Sequence, residues 1–394
     1  MVTENPQKKI RVLYTYANTF ELGGADFCLL KLAAGLNPEQ FEVYVVLSQK
    51  CALEDKYWNA NIQLHYINMP RLKVTKNPFK LLGYFVYGIF SIFRLDRFIK
   101  KNQIDIVHAN DLLDFYGPIA AKISKIKSIQ HVRMILPDGI LKRVLTQLTL
   151  MLNDKVVAVS KGTALAMFTG KNTSKKVVVG YDWYDPVITG HQVLGIPFRK
   201  ENGFLESDLL IGIVGRLQDW KGQHIFLRAG EKLCNKHSNI KLIICGGEVH
   251  GRHLTYAVDL KRIVDEMNIN ENVLFTGYRS DVINIIMSFD ILVHASITPD
   301  PLPGVIMEAG LCKVPVVAAN AGGVPEEVVD GESGFLFNPG DTDDLFAKID
   351  GLIELGEEGR KIMGGHGEAF IRKTFAPNKI IEQFEALYHN VNEE

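Results

Sequence analysis

The sequence predicts an α/β protein made of two Rossmann-like, doubly wound parallel-sheet domains facing a cleft, and three observations predict it. Short runs rich in β-branched residues alternate with stretches of helical period from one end of the chain to the other. Those runs are apolar at successive positions, as parallel strands covered by helices on both faces are. The series stops at a Pro- and Gly-bearing stretch near Gly190 to Asn202 and then starts again, so the pattern describes two domains rather than one. A chain of 394 residues, 47% hydrophobic and 23% charged, has core material for both and is excluded from the disordered and low-complexity classes.

The first-half strands are expected at 10–16, 41–47, 104–109, 128–134, 155–160 and 176–180, and the second-half strands at 209–215, 240–246, 272–277, 290–296 and 314–320. The domains follow as 1–195, 203–377, and a terminal helix at 378–394 packing back toward the first domain. The cleft between the domains is the expected ligand site. One segment breaks the rhythm. Phe79 to Lys101 contains an uncharged run from Leu81 to Phe93, rich in aromatics and flanked by Lys80, Arg94, Arg97, Lys100 and Lys101. It is too short to span a bilayer, which takes about 20 apolar residues. It reads either as a core helix or as an interfacial helix whose Phe85, Phe90 and Phe93 enter the headgroup region beside a basic flank.

The net charge of -1 hides an asymmetry, because residues 1–190 carry 25 Lys and Arg against 15 Asp and Glu while the remainder carries 19 against 30. A basic half fits an anionic surface or ligand. No nucleic-acid recognition motif accompanies it, so a nucleic-acid partner is not expected. The five cysteines (28, 51, 234, 245 and 312) show no paired spacing, and no apolar targeting run precedes the first strand. Both point to a reducing, cytoplasmic setting.

The chemistry concentrates in two stretches. In Gly212 to Leu233 a strand ends, Arg216 and Lys221 follow, and Gly222 opens a helix with apolar positions Ile225, Phe226, Ala229 and Leu233. Two cations beside a helix N-terminus form an anion site suited to a diphosphate. In Ile297 to Val328, Asp300 precedes an extended Pro301–Pro303 stretch, a helix begins near Gly304, and Glu308 falls about one turn in. There a ligand phosphate can approach the backbone while Glu308 accepts hydrogen bonds from hydroxyls. Gly23 and Gly24 precede a helix after the first strand, without the third glycine of a dinucleotide fingerprint. His108, His131 and Arg133 lie at strand ends, although a histidine on an apolar strand is more often core than catalyst. Asp341, Asp343 and Asp344 suit a helix cap better than a metal, His250 and His253 lack zinc spacing, and no metal site is expected.

In this order and spacing, Gly23-Gly24, His131, the VVAVS run ending at Ser160, Arg216 with Lys221-Gly222, and Asp300 with Glu308 followed by AlaGlyGly resemble the retaining nucleotide-sugar glycosyltransferases of the GT-B fold, family four (group 1). The resemblance implies that Arg216 and Lys221 bind the donor diphosphate and take part in catalysis, and that Glu308 holds the donor ribose. It implies that Asp300, where the family usually has Glu, contacts the transferred sugar, with Gly304, Val305 and Ile306 offering backbone N–H groups. It places Gly23 and Gly24 near the donor phosphates or the acceptor, and His131 near the reaction centre. Asp26 likewise stands where Glu is common. The function implied is transfer of a hexose-type sugar from a nucleoside-diphosphate donor, UDP by frequency, to a lipid-linked or polysaccharide acceptor, without cofactor or metal. His108, Arg133, Lys80, Phe85, Phe90, Phe93, Arg94 and Arg97 are the expected acceptor or membrane residues of a protein peripheral on the inner membrane face. A sugar-nucleotide epimerase on the same fold and a non-catalytic membrane-associated scaffold are the competing readings.

Overall fold

A computed structural model describes residues 8–17, 23–70, 78–169, 175–183, 198–248 and 254–394, the side chains of 78–85 excepted. The chain divides into two compact units, Met1–Trp183 with Asn378–Glu394, and Tyr184–Pro377. Both are parallel α/β sandwiches, as the apolar strand runs required.

The first unit contains β1 (Ile10–Tyr16), α1 (Gly24–Gly35), β2 (Phe41–Leu47), α2 (Glu54–Asn59), β3 (Gln63–Tyr66), α3 (Pro78–Asn102) and β4 (Ile106–Ala109). It continues through α4 (Tyr116–Ser124), β5 (Lys127–Val132), α5 (Ile140–Leu152), β6 (Lys155–Ala158), α6 (Lys161–Met167) and β7 (Val177–Val179). The seven strands lie in the order β3-β2-β1-β4-β5-β6-β7. Strand β1 is central and almost wholly buried, which is why its run is apolar on both faces. Ser160 starts α6 by accepting from the Thr163 N–H.

The second unit opens with α7 (Phe198–Glu201), β8 (Leu209–Val214), α8 (Gln223–Lys236), β9 (Ile240–Cys245), α9 (Leu254–Glu266) and β10 (Val273–Gly277). There follow α10 (Val282–Ile286), β11 (Ile291–His294), α11 (Gly304–Leu311), β12 (Val316–Ala319), β13 (Gly334–Phe337), α12 (Thr342–Glu354) and α13 (Gly356–Thr374). Its order is β10-β9-β8-β11-β12-β13. Alternate residues of β8 serve two cores: Ile211 and Ile213 pack with Phe226, Leu233 and Leu345 on one face, and Leu210 packs with Ile285, Phe289 and Ile306 on the other. The acidic run behaves as a cap, since Asp341 accepts from the N–H groups of Asp343 and Asp344 at 3.0 Å.

The terminal helix α14 (Pro377–Glu393) belongs to the first unit, where it buries Ile380, Phe384, Tyr388 and Val391. Its rings meet those of the sheet: the Tyr388 hydroxyl stands 2.8 Å from that of Tyr14 and 2.7 Å from His108 Nδ1. The ring centroids of His131 and Phe384 are 5.7 Å apart.

Candidate functional site

In a doubly wound sheet, ligands bind beyond the carboxyl ends of the strands at the point where strand order reverses. In the second unit that point lies between β8 and β11. Three of the residues singled out in the sequence converge there. Lys221, in a single 3-10 turn (Asp219–Lys221) after β8, places Nζ 2.6 Å from Asp300 Oδ2. The ammonium lies 4.2 Å from the centroid of the Trp220 ring, a second contact that fixes its direction. Gly222 then starts α8 at φ +71°, where a Cβ would collide with the Ala295 carbonyl oxygen, so the β8 and β11 loops touch only because this residue is glycine. Arg216 is exposed beside them.

Asp300 is nine-tenths buried, and three neighbours converge on its Oδ2: Lys221, His294 Nε2 at 3.2 Å and Ser296 Oγ at 3.4 Å. Its other oxygen accepts no hydrogen bond from the described residues. Burial pushes this carboxyl up, but the Lys221 charge and the His294 hydrogen bond outweigh it and hold the group well below the usual carboxylate range. Burial keeps His294 neutral in turn. Gly322, at φ +64°, fits against the Asp300 carbonyl where a Cβ would clash, and the Gly323 N–H donates to that carbonyl at 2.8 Å.

The helix expected near Gly304 starts at that residue, and space is open beside it. Glu308 sits in its second turn. The three expected backbone donors reduce to two, because the Ile306 N–H already donates to the Pro303 carbonyl at 3.0 Å. A cavity of about 740 Å³ lies along the same rim, lined by Gly246, Gly247, Glu248, Lys261, Thr276 and Tyr278 among others.

In the first unit, strand order reverses between β1 and β4. Gly23 and Gly24 are there, with open space beside Gly24 at the start of α1. Asp26 is occupied as the cap of that helix, accepting from the Gly23 N–H at 2.9 Å. Asn110, just after β4, donates to the Ala25 carbonyl and accepts from Arg133. Arg133 is bound on two sides by Asp182 at 2.8 and 3.1 Å, so its charge is already matched inside the unit.

The two histidines lie elsewhere. His108 and His131 are fully buried in the ring layer under α14, and burial, with the nearby Arg133 charge, pushes both down, His108 to about 3. Their expected roles, His131 at the reaction centre and His108 at the acceptor, are corrected accordingly: neutral, sealed rings that hold a helix do not reach a substrate. Their strand positions face α14 rather than the carboxyl edge, and the terminal helix that covers them is remote in sequence.

The Phe79–Lys101 segment is a helix with two characters. Ser91, Leu95 and Ile99 are buried, while Tyr87, Phe90 and Phe93 are 63%, 59% and 59% exposed, beside exposed Arg94 and Arg97. The side chains of Lys80 and Phe85 lie outside the described residues. No helix among the described residues is long and apolar enough to cross a membrane. Among them, too, no group of three His, Cys, Asp or Glu side chains could hold a metal.

Sequence reasoning missed Trp220, His294 and Ser296. His294 and Ser296 at the end of a strand beside the reversal point were the available signal. It also missed the open face of α5, where Ile140, Leu141, Val144, Leu148 and Met151 are exposed.

The model of the family described as "Glycosyl transferases group 1" matches residues 197–368, and that of "Glycosyltransferase Family 4" matches residues 22–185. The capsular polysaccharide biosynthesis glycosyltransferase CapM of Staphylococcus aureus is 27% identical over 196 residues, 48% of each chain. The D-inositol 3-phosphate glycosyltransferase of Corynebacterium jeikeium (strain K411) is 31% identical over 202 residues, 50% of this chain and 45% of that protein. The aligned region thus spans about half the length of these curated relatives. Anabaena Alr3699/HepE, solved in complex with UDP, superposes with a TM-score of 0.82 at 23% identity, covering 97% of this chain and 100% of its own. That likeness fixes the fold as GT-B.

Proposed function

We propose, for a chain that belongs to the group 1 and family 4 glycosyltransferases, that it transfers a hexose-type sugar from a nucleoside-diphosphate donor to a lipid-linked or polysaccharide acceptor, with retention of anomeric configuration. The observation that carries the reading is the Lys221–Asp300 pair at the reversal point of the second sheet. UDP is the first choice of donor nucleotide, because the structural neighbour HepE was solved with UDP.

The chemistry follows from the charges. Breaking the anomeric C–O bond leaves positive charge on the sugar and negative charge on the departing diphosphate. In this reading Arg216, Lys221 and the N-terminus of α8 stabilise the latter, a task preorganised donors perform without reorganising during the reaction. In this reading no metal is needed for it. Asp300 presents its open oxygen to hydroxyls of the transferred sugar, and Glu308 accepts from the donor ribose. The cavity beside Gly246 and Tyr278 is the adjoining room for the nucleoside.

The test is a thermal-shift titration with UDP, GDP, ADP and CMP, since a ligand that binds only the folded state must stabilise it. One nucleoside diphosphate is expected to raise Tm, and Arg216→Ala to remove most of that rise. Stabilisation by none of them, or an undiminished response in Arg216→Ala, rejects the site.

The acceptor side rests on the first unit's surface. Helices α3 and α5 both contact α4 and both present exposed apolar side chains with cations nearby, Arg94 and Arg97 on one and Lys142 and Arg143 on the other. That composition suits the interface of an anionic leaflet and a peripheral protein at a cytoplasmic membrane face. Changing Phe90 and Phe93 together to Ser is expected to lower co-sedimentation with phosphatidylglycerol vesicles at least several-fold while leaving Tm near the parent value, because both rings are already exposed. A large fall in Tm would mean instead that this face is covered by protein.

A further inference from the structure

Arg216 is exposed, yet the backbone that carries it is tied down on both sides. The Gly215 N–H donates to the Cys245 carbonyl at 2.9 Å and the Leu217 N–H to the Gly247 carbonyl at 3.0 Å, which fixes both neighbours against the end of β9. Gly246 lies so close to the Gly215 carbonyl that a Cβ there would collide with it. A further tie comes from a side chain. Gln223, the first residue of α8 and 1% exposed, donates from Nε2 to the Arg216 carbonyl at 3.0 Å.

A buried amide needs partners at both ends. The other end of Gln223 is met from the next helix, where the Tyr256 hydroxyl of α9 donates to Oε1 at 3.3 Å. With its only proton given there, that hydroxyl serves His224 as an acceptor, for the backbone N–H at 3.3 Å and for ring Nδ1 at 3.0 Å. The two rings meet edge to face with centroids 6.1 Å apart, a packing that holds the hydroxyl in place. All the donors in this chain point one way, from His224 through Tyr256 and Gln223 to the Arg216 carbonyl. Ala257, next to Tyr256 on α9, lines the 740 Å³ cavity together with Leu217. The chain therefore joins the helix beside the cavity to the loop that carries the cation.

An exposed arginine loses rotamer freedom when it grips a ligand, and a loose backbone beneath it would add to that cost. We propose that Gln223 and Tyr256 are positioning residues of the donor site: the Tyr256 hydroxyl orients the Gln223 amide, and the amide holds the Arg216 backbone where its guanidinium reaches the donor diphosphate. Both act through Arg216 and not by touching the ligand. The inference rests on the nucleotide-binding reading above.

Titration of the parent chain with UDP, GDP and ADP selects the diphosphate. It is then titrated calorimetrically into Gln223→Met, Tyr256→Phe and Arg216→Ala, with the matching nucleoside measured by displacement and thermal unfolding followed without ligand. Methionine keeps the length of glutamine without its amide, and phenylalanine keeps the Tyr256 ring without its hydroxyl. Gln223→Met is expected to bind the diphosphate about tenfold more weakly and Tyr256→Phe about threefold more weakly, while both bind the nucleoside within about twofold of the parent. The ratio of diphosphate to nucleoside affinity thus moves toward that of Arg216→Ala, which a merely structural role would leave alone. An unchanged ratio in both variants, with or without a fall in Tm, overturns the inference and leaves the nucleotide site standing. A parent that binds none of the three nucleotides, or an Arg216→Ala ratio equal to the parent's, removes the site as read and this inference with it.

Discussion

Lys221→Ala is expected to abolish nucleoside-diphosphate binding and, independently, to lower stability by about 2–3 kcal/mol. The second effect follows from burial. Asp300 is 7% exposed, and Lys221 is its only ion-pair partner of fixed charge among the described residues. Removing one member of a buried pair strands the other charge, which costs more than the pair itself contributed. The figure is set below the fully buried case because a fifth of the Lys221 side chain reaches solvent. The folded-state pKa of Asp300 is depressed, so the stability the pair contributes is present above the unfolded carboxyl's value, about 3.9, and is lost as pH falls through the folded one. Adding Asp300→Asn to Lys221→Ala should restore most of the lost stability and none of the binding. Denaturant unfolding at neutral pH and UDP calorimetry separate the two effects. A double variant that binds like the parent would show that the cation only balances Asp300.

This separation of roles was half legible in the sequence. Arg216, Lys221 and Asp300 could be picked out because two cations follow a strand at a helix start and an acid precedes a Pro301–Pro303 stretch leading into another helix, and the sheet topology then brings Lys221 and Asp300 together. Their supports do not stand out. His294 and Ser296 look like the end of any apolar strand. The fold shows the same division. The central strands were legible because two covered faces demand continuous apolar runs, and β1 and β2 begin and end where those runs do. The edge strands divided: β7 and β10 lie inside expected runs that carry β-branched residues, whereas β3 and β13, four residues each, carry none and were not expected. The histidines failed for a different reason. A polar residue near a strand end invites a chemical role, and nothing local reveals that the final 17-residue helix, some 280 positions from His108, supplies the ring that covers it.

That helix leads to the second large effect, an acid-sensitive first unit. His108 and His131 are buried and neutral, and both folded-state values lie below the unfolded one of about 6.5. For a depressed histidine the unfolded chain binds more protons as pH falls, so the stability these rings contribute is complete above about pH 6.5 and is withdrawn below it. Each histidine that refuses its proton withdraws about 1.4 kcal/mol per pH unit. Two of them at about pH 4.5 remove about 5 kcal/mol, as much as the whole stability of a marginal domain. Docking of α14 should fail first, because Tyr388 and Phe384 pack directly on the two imidazoles. His131→Phe keeps a ring against Phe384 without a proton to gain, and should roughly halve the acid slope of the first unit's unfolding while UDP affinity at neutral pH stays within about twofold. Thermal unfolding followed between about pH 4.5 and 7.5 measures that slope. An unchanged slope would mean that the acid sensitivity arises elsewhere. A lost UDP affinity in a folded variant would return His131 to the donor site, against its place beneath the terminal helix.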